Sequence, residues 1–276
     1  MTARVLIVAG SDSGGGAGVQ ADIKACTALG AYAATAITAV TVQDTRAVHA
    51  VHAVPPDVIA AQMRVVLDDI GADVVKLGMI GGLAAGEAIL SALPSDVPLV
   101  LDPVLVATSG DALGDGETAT LIRERLVPRA AIVTPNAPEL AALTRRDVRD
   151  ADEAEAAARA LLDRGAGAVL AKGGHLSGEA MTDLLVMPEG TIRIEHPRLE
   201  TTSTHGTGCT LASALAASLA QGRSLKDAAR RAVAYVTAAI RHAPRLGPGL
   251  GPGLGRGHGP LNHALREGPG GWTPIG

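Results

Sequence analysis

The feature that most constrains this chain is a set of short apolar runs, 5–9, 74–77, 99–101, 131–133 and 168–171, each closed by a polar or glycine-containing turn. A strand with one wet face alternates in polarity, whereas a run that is apolar at nearly every position fits a strand covered on both faces. Amphipathic segments separate the runs: one ends near Gly30, others span 58–70, 83–93, 117–126 and 152–164, and a short helix holds Glu139. Strands alternating with helices predict a three-layer α/β/α sandwich around a mostly parallel sheet. In such sheets ligands bind beyond the carboxyl ends of the strands. There this chain places Gly10, Met79, Asp102, Asn136 and Lys172.

A further strand is predicted over 33–42, with Gln43-Asp44-Thr45 at its tip, and an antiparallel edge hairpin over 182–186 and 191–195 turned at Pro188-Glu189-Gly190. Helices over 211–220 and 225–242 follow. No linker divides the chain, so 1–276 reads as one domain with a Gly/Pro-rich tail from about residue 245. Residues beyond Arg266 are expected to be disordered, because so much Gly and Pro opposes regular packing.

Composition narrows the function. With no Phe, one Trp and two Tyr, and with a net charge of -4 from scattered charges, the chain offers neither stacking platforms nor a basic stripe; no nucleic-acid partner is expected. No apolar run approaches the ~20 residues of a membrane helix, and the run 5–9 is too short for a signal-peptide core. Two cysteines, Cys26 and Cys209, suit a reducing compartment. A cytoplasmic protein without a membrane partner is expected.

The chemistry centres on T-S-T-H-G-T-G-C-T-L-A-S, residues 202–213. Gly206 and Gly208 free the backbone to curl, Thr207 and Thr210 are candidate caps, and the amides that open the following helix form a cradle for an anion. Cys209 projects into that cradle, where a helix N-terminus is expected to lower a thiol pKa. The N-terminal G-S-D-S-G-G-G-A-G lacks the Lys of a phosphate-binding Walker loop. Its partial dinucleotide fingerprint, Gly16, Gly18 and Ala21 with Asp44 beyond, starts too far from the strand end. It reads better as a loop beside a small ligand, with Asp12 and Asp22 as polar contacts. Asn136 and Glu139 share one face of a helix start and suit the water shell of Mg²⁺; equally, Glu139 is a favourable acid at that position. Lys172, at the end of a buried strand and followed by two glycines, suits a transferring phosphoryl group, although a strand-end lysine also reaches solvent readily. His175, His205 and Cys209 lack zinc-site spacing.

In their order and spacing, G-S-D-S-G-G-G-A-G-V-Q-A-D, T-V-Q-D-T, K-L-G-M, L-D-P-V, S-G-D-A-L, T-P-N-x-x-E, K-G-G-H, T-H-G-T-G-C and G-H-G-P-L-N-H resemble the ribokinase superfamily, and within it the hydroxymethylpyrimidine/phosphomethylpyrimidine kinases of thiamin biosynthesis. The resemblance implies a ribokinase-like fold and ATP- and Mg²⁺-dependent phosphorylation of 4-amino-5-hydroxymethyl-2-methylpyrimidine and then of its monophosphate. It implies Cys209 as the base for the substrate hydroxyl, Lys172 on the transferred group, and Gly206, Thr207 and Gly208 with Cys209 as the anion hole. Gly10, Asp22, Thr41, Gln43 and Met79 would surround the aminopyrimidine, Asn136 and Glu139 would organise Mg²⁺, and the protein would be a homodimer. Asp44 stands where the family usually has Asn, and Thr108 where many members have Lys, which removes one phosphate contact. Competing readings are a pyridoxine/pyridoxal kinase and a non-catalytic pyrimidine-binding regulatory module.

Overall fold

The computed structural model describes residues 2–105, 116–175, 180–244 and 254–275. Thr108, the S-G-D-A-L segment and the middle of the Gly/Pro tail lie outside the described residues. The chain opens with β1 (Arg4–Asp12), α1 (Gly18–Ala28), β2 (Tyr32–Gln43) and β3 (Val48–Ala53). It continues through α2 (Pro56–Asp69), β4 (Val74–Leu77), α3 (Leu83–Ala92), β5 (Leu99–Leu101) and α4 (Gly116–Leu121), which runs on as a wide π turn over Ile122–Leu126. Then come β6 (Ile132–Val133), α5 (Ala137–Thr144), α6 (Ala151–Leu162), β7 (Val169–Ala171), β8 (Ala180–Met187) and β9 (Gly190–Pro197). Two long helices, α7 (Thr207–Ala220) and α8 (Leu225–Arg241), precede a terminal hairpin of β10 (Leu265–Gly268) and β11 (Gly271–Pro274).

The first nine strands form one sheet in the order β3-β2-β1-β4-β5-β6-β7-β8-β9. Pairing is parallel from β2 through β1, β4, β5 and β6 to β7, and antiparallel at β2/β3, β7/β8 and β8/β9. Side chains of β1 alternate between two cores: Val5, Ile7 and Ala9 pack with α1, α7 and α8, while Leu6 and Val8 pack with α2, α3 and α6. These runs are continuous because both faces are covered, and the three layers are those the alternation predicts. The sheet grows outward from β1 in both directions, so the switch point lies between β1 and β4, with a crevice at their carboxyl ends.

Two segments depart from expectation. The edge strand β3, V-H-A-V-H-A, is exposed along nearly its whole length, so it carries no burial pattern to betray it. Beyond Arg266, where disorder was expected, the chain forms the β10–β11 hairpin; Trp272 is buried, with its ring 4.8 Å from Tyr235 edge to face and Arg231 above it. One aromatic anchor on a helix outweighs the surrounding glycines.

The approach to that hairpin is pinned by His263, buried with Nε2 2.9 Å from Thr210 Oγ1, while Tyr235 Oη donates to the His263 carbonyl. Burial, helped by Lys24, holds the imidazole pKa down to about 4. Between that value and the ordinary His range the unfolded chain binds the extra proton, so stability is complete above the unfolded pKa and is lost as pH falls towards the folded one. The loss amounts to at most roughly 3 kcal/mol. Urea melts of the wild type are expected to show this decline on acidification, and a His263→Gln protein should show a flatter profile.

Candidate active site

The crevice at the carboxyl ends of the strands is a cavity of about 790 Å³, within the range that holds a small-molecule ligand. Of the residues singled out from the sequence, Gly10, Thr41, Gln43, Met79, Asn136, Glu139, Lys172, Gly206, Thr207, Gly208 and Cys209 all line it.

One group of residues surrounds the mouth between β1 and β2. A Cβ on Gly10 would stand 2.9 Å from the Met79 sulfur, so the glycine leaves room for that side chain. Met79 is held in turn by Thr38, whose hydroxyl donates to its carbonyl at 2.6 Å. Thr41 Oγ1 lies 3.0 Å from the Ser11 carbonyl and 3.1 Å from Gln43 Oε1. That contact orients the Gln43 amide, whose donor and acceptor edges suit a heteroaromatic ring bearing an amine.

Asp22 does not belong to this group. It is fully buried outside the cavity wall, with its carboxylate bonded to Lys76 and Ser213. The sequence places it one turn into α1, but helical phase turns it inward. Asp12 does reach the cavity, yet its carboxylate accepts the amides of Gly14, Gly16 and Ala17 and meets His205 Nε2 at 2.8 Å. These bonds hold its pKa below the usual carboxylate range despite burial, and they tie the N-terminal loop to the turn before α7.

That turn forms the second group. Gly206 is the N-cap of α7 at φ 82°, a left-handed conformation in which an added side chain would overlap the Gly16 carbonyl. Neither threonine caps: Thr207 Oγ1 donates to the Thr204 carbonyl and Thr210 Oγ1 to the Gly206 carbonyl. The amides of Gly208 and Cys209 lie in the first turn of α7, where no intrahelical acceptor exists. The Cys209 thiol is pushed up to about 12, not down as its helix-start position suggested. Burial is the chief cause, Asp22 and Asp102 act in the same direction, and Lys76 and the Gly18 amide oppose them.

Lys172 faces this turn, its Nζ 3.3 Å from where a Cβ on Gly208 would stand. The ammonium is not free. It lies 3.2 Å from Asp102 Oδ1 and 3.4 Å from Glu139 Oε2. Burial works against its charge, but these two carboxylates prevail and its pKa is raised. Asp102, which the sequence places at a strand end without assigning it a role, also lines the cavity, as the Asp of an Asp-Pro directly after buried β5. Thr134 Oγ1 donates to its Oδ1 at 3.2 Å, and its Oδ2 is buried without a hydrogen-bond partner.

Asn136 and Glu139 form a reciprocal capping box at the start of α5: Asn136 Oδ1 accepts the Glu139 amide at 2.8 Å and Glu139 Oε2 accepts the Asn136 amide at 2.7 Å. Burial raises the Glu139 pKa against the pull of Lys172. Among the described residues no three His, Cys, Asp or Glu side chains are grouped to hold a metal ion. Mg²⁺ needs less, since it keeps much of its water shell. The orphaned Asp102 Oδ2 fits that demand, and Glu139 fits it through the carboxylate oxygen that the cap and Lys172 do not use, whereas the Asn136 oxygen is taken by the cap.

Among the described residues no helix is long and apolar enough to cross a membrane. Residues 12–254 match the family model described as phosphomethylpyrimidine kinase. The chain is 47% identical over 238 residues to the hydroxymethylpyrimidine/phosphomethylpyrimidine kinase of Rhizobium meliloti (strain 1021), which covers 85% of this chain and 89% of that one. It is also 47% identical over 263 residues to a thiamine biosynthesis bifunctional protein of Geobacter sulfurreducens, covering 95% of this chain and 52% of that longer one. Among solved structures, a pyridoxal kinase from Staphylococcus aureus in complex with ADP superposes with a TM-score of 0.83 at 31% identity, covering 95% of this chain and 94% of that one. The α/β fold is therefore ribokinase-like, as the resemblance implied. A family model spanning most of the chain, and a relative nearly half identical along it, make this protein a phosphotransferase and a member of the phosphomethylpyrimidine kinase family.

Proposed function

We propose that this cavity carries out both steps of the thiamin-pathway pyrimidine kinase, with ATP as donor: phosphorylation of 4-amino-5-hydroxymethyl-2-methylpyrimidine, then of its monophosphate. The observation that carries the reading is the joining, in one cavity, of a ring-binding mouth at Gly10, Thr41, Gln43 and Met79 with an anion cradle at Gly206 to Cys209 facing Lys172. Apolar residues Leu211, Val233, Val236 and Ile240 line the same cavity and offer a wall for the donor's base.

In the first transfer the hydroxymethyl proton passes to the Cys209 sulfur. The hydroxyl oxygen bonds to the terminal phosphorus, and the bond from that phosphorus to ADP breaks. The amides of Gly208 and Cys209 and the Lys172 ammonium hold the charge on the moving group, the Thr207 amide being taken by the Thr204 carbonyl at 3.3 Å, and preorganised donors of this kind supply much of the catalysis in phosphoryl transfer. In the second transfer the nucleophile is already an anion and needs no base. Asp102 and Glu139 would hold Mg²⁺, with Asn136 fixing Glu139 through the cap; the ion would neutralise phosphate charge. With its pKa raised, the resting thiol is mostly protonated at neutral pH, so the first transfer is expected to quicken as pH rises towards the alkaline range while the second does not.

Val40 and Val42 on β2, beside the edge strand β3, are exposed, and they support a second copy of the chain seated on this face of the sheet as a homodimer. The test of function is mass spectrometry of products after incubation with Mg-ATP and either hydroxymethylpyrimidine or pyridoxal. Mono- and then diphosphorylated pyrimidine is the expected result. The structural likeness to a pyridoxal kinase favours pyridoxal as the second reading. Phosphorylated pyridoxal alone would establish it, and no product from either would return the chain to a pyrimidine-binding module.

A further inference from the structure

A fully buried ion pair stands outside the cavity wall. Lys76 Nζ in β4 lies 2.9 Å from both carboxylate oxygens of Asp22 in α1, and Ser213 Oγ in α7 donates to Asp22 Oδ1 at 2.7 Å. A buried pair of this kind contributes little net stability over a well-packed apolar core, which directs attention to where its charge lies. Gly18 and Asp22 stand one turn apart on α1, and Cys209 and Ser213 stand one turn apart on α7. The Gly18 amide donates to the Cys209 sulfur, and one turn below it Ser213 meets Asp22. The two helices are thus in register, and the Lys76 head fits beneath them. Gly78 leaves it room, since a Cβ there would stand 2.9 Å from Nζ.

The charged groups that face the thiol are Lys76 from β4, Asp22 from α1, Asp102 beyond β5 and Lys172 beyond β7. Lys172 is shared between Asp102 and Glu139, whereas the ion-pair partner of Lys76 among the described residues is Asp22. We propose that Lys76 is a positioning residue for the first phosphoryl transfer: set beneath Cys209 by Asp22 and Ser213, its ammonium holds the negative charge the sulfur carries when it is ready to accept the substrate proton. Lys76 keeps its own proton throughout. The thiol first releases its proton to water, and the thiolate then takes the hydroxyl proton as the new oxygen–phosphorus bond forms and the bond to ADP breaks. The inference rests on the reading of Cys209 as the base.

The two members of the pair make opposite predictions. Lys76→Met removes the cation, and Asp22→Asn frees it. Alkylation of the resting protein by iodoacetamide across pH, read by mass spectrometry on the peptide holding Cys209, reports the thiol separately from buried Cys26. Lys76→Met is expected to slow that alkylation about tenfold at a fixed alkaline pH, one unit of pKa. The kcat of the first transfer should fall about tenfold with it, at unchanged KM for the pyrimidine, while the second transfer changes less than about twofold. Asp22→Asn should speed alkylation and move the alkaline rise of the first transfer to lower pH. The Lys76→Met/Asp22→Asn double variant leaves no buried charge unpaired and so guards against misfolding; it should keep the slow alkylation.

A merely structural pair would shift both single variants in the same direction and depress both transfers, and that result overturns the proposal. Unchanged alkylation in all three variants overturns it as well. Opposite shifts in alkylation without any response of the first transfer would overturn the reading of Cys209 as base, and with it the role of Lys76 in the reaction, while leaving its hold on the thiol demonstrated.

Discussion

A Lys172→Met protein loses both phosphoryl transfers, by about 10²–10³-fold in kcat, because charge on the moving phosphoryl group is the same problem in either step. Lys172 is placed for that charge and for little else: its Nζ stands against Gly208 in the anion cradle, and no contact links it to the Thr41–Gln43 mouth. Pyrimidine binding, followed by calorimetric titration, should therefore stay within about threefold of the wild type, as expected for an interaction made in the transition state rather than the ground state. The substitution also strands Asp102 and Glu139 without their cation, and breaking a buried pair costs about 3–5 kcal/mol when the remaining charge cannot relax. Here it can relax in part, because the Glu139 pKa is already raised and the carboxyl takes a proton when Lys172 is gone. A melting curve run beside the kinetics separates lost folding from lost chemistry. Retention of the second transfer would show that Lys172 does not hold the moving group.

How much of this was legible follows from where each signal resides. The strand ends were, since a covered parallel strand must be apolar and its ligand-facing end must not be: Gly10, Met79, Asn136 and Lys172 all line the cavity. The T-H-G-T-G-C turn was legible for a similar reason, because only glycine accepts the left-handed N-cap at Gly206 without a clash. The remainder depends on contacts between distant segments. Asp22 looks like a ligand contact beside a Gly-rich loop, and only the three-dimensional meeting with Lys76 and Ser213 shows that it is consumed inside the core. V-V-K-L reads as a covered run, but nothing in it names the carboxylate that meets its wholly buried lysine. Cys209 was read at a helix start, which lowers a thiol pKa; the burial and the two carboxylates that reverse this come from α1 and the end of β5. The terminal hairpin was hidden by its glycines, and its one decisive residue, Trp272, has meaning only against Tyr235 on α8.

Cys209→Ala is expected to split the two reactions. The first transfer should fall by about 10²–10⁴-fold, the range that a general base contributes, while the second, whose phosphate nucleophile carries no proton to remove, should fall far less. Lys76→Met splits the steps in the same direction but only about tenfold, whereas loss of Lys172, or of the cradle through Gly206→Ala, strikes both steps. The sulfur's environment sharpens the test. With the thiol pKa at about 12, only a small fraction is thiolate at neutral pH, and alkylation of the wild type should be correspondingly slow and should accelerate with pH. Cys209→Asp replaces this base with one that ionises in the acid range, although Asp22 and Asp102 nearby will hold its pKa above that of a solvated carboxylate. The expected result is a first transfer whose rate no longer climbs through the alkaline range, measured as kcat against pH for hydroxymethylpyrimidine. Near-normal first transfer in Cys209→Ala would instead mean that the hydroxyl proton leaves late and without a protein base. In that case the turn acts through its amides alone, and the high pKa of its thiol is a consequence of burial and not part of the mechanism.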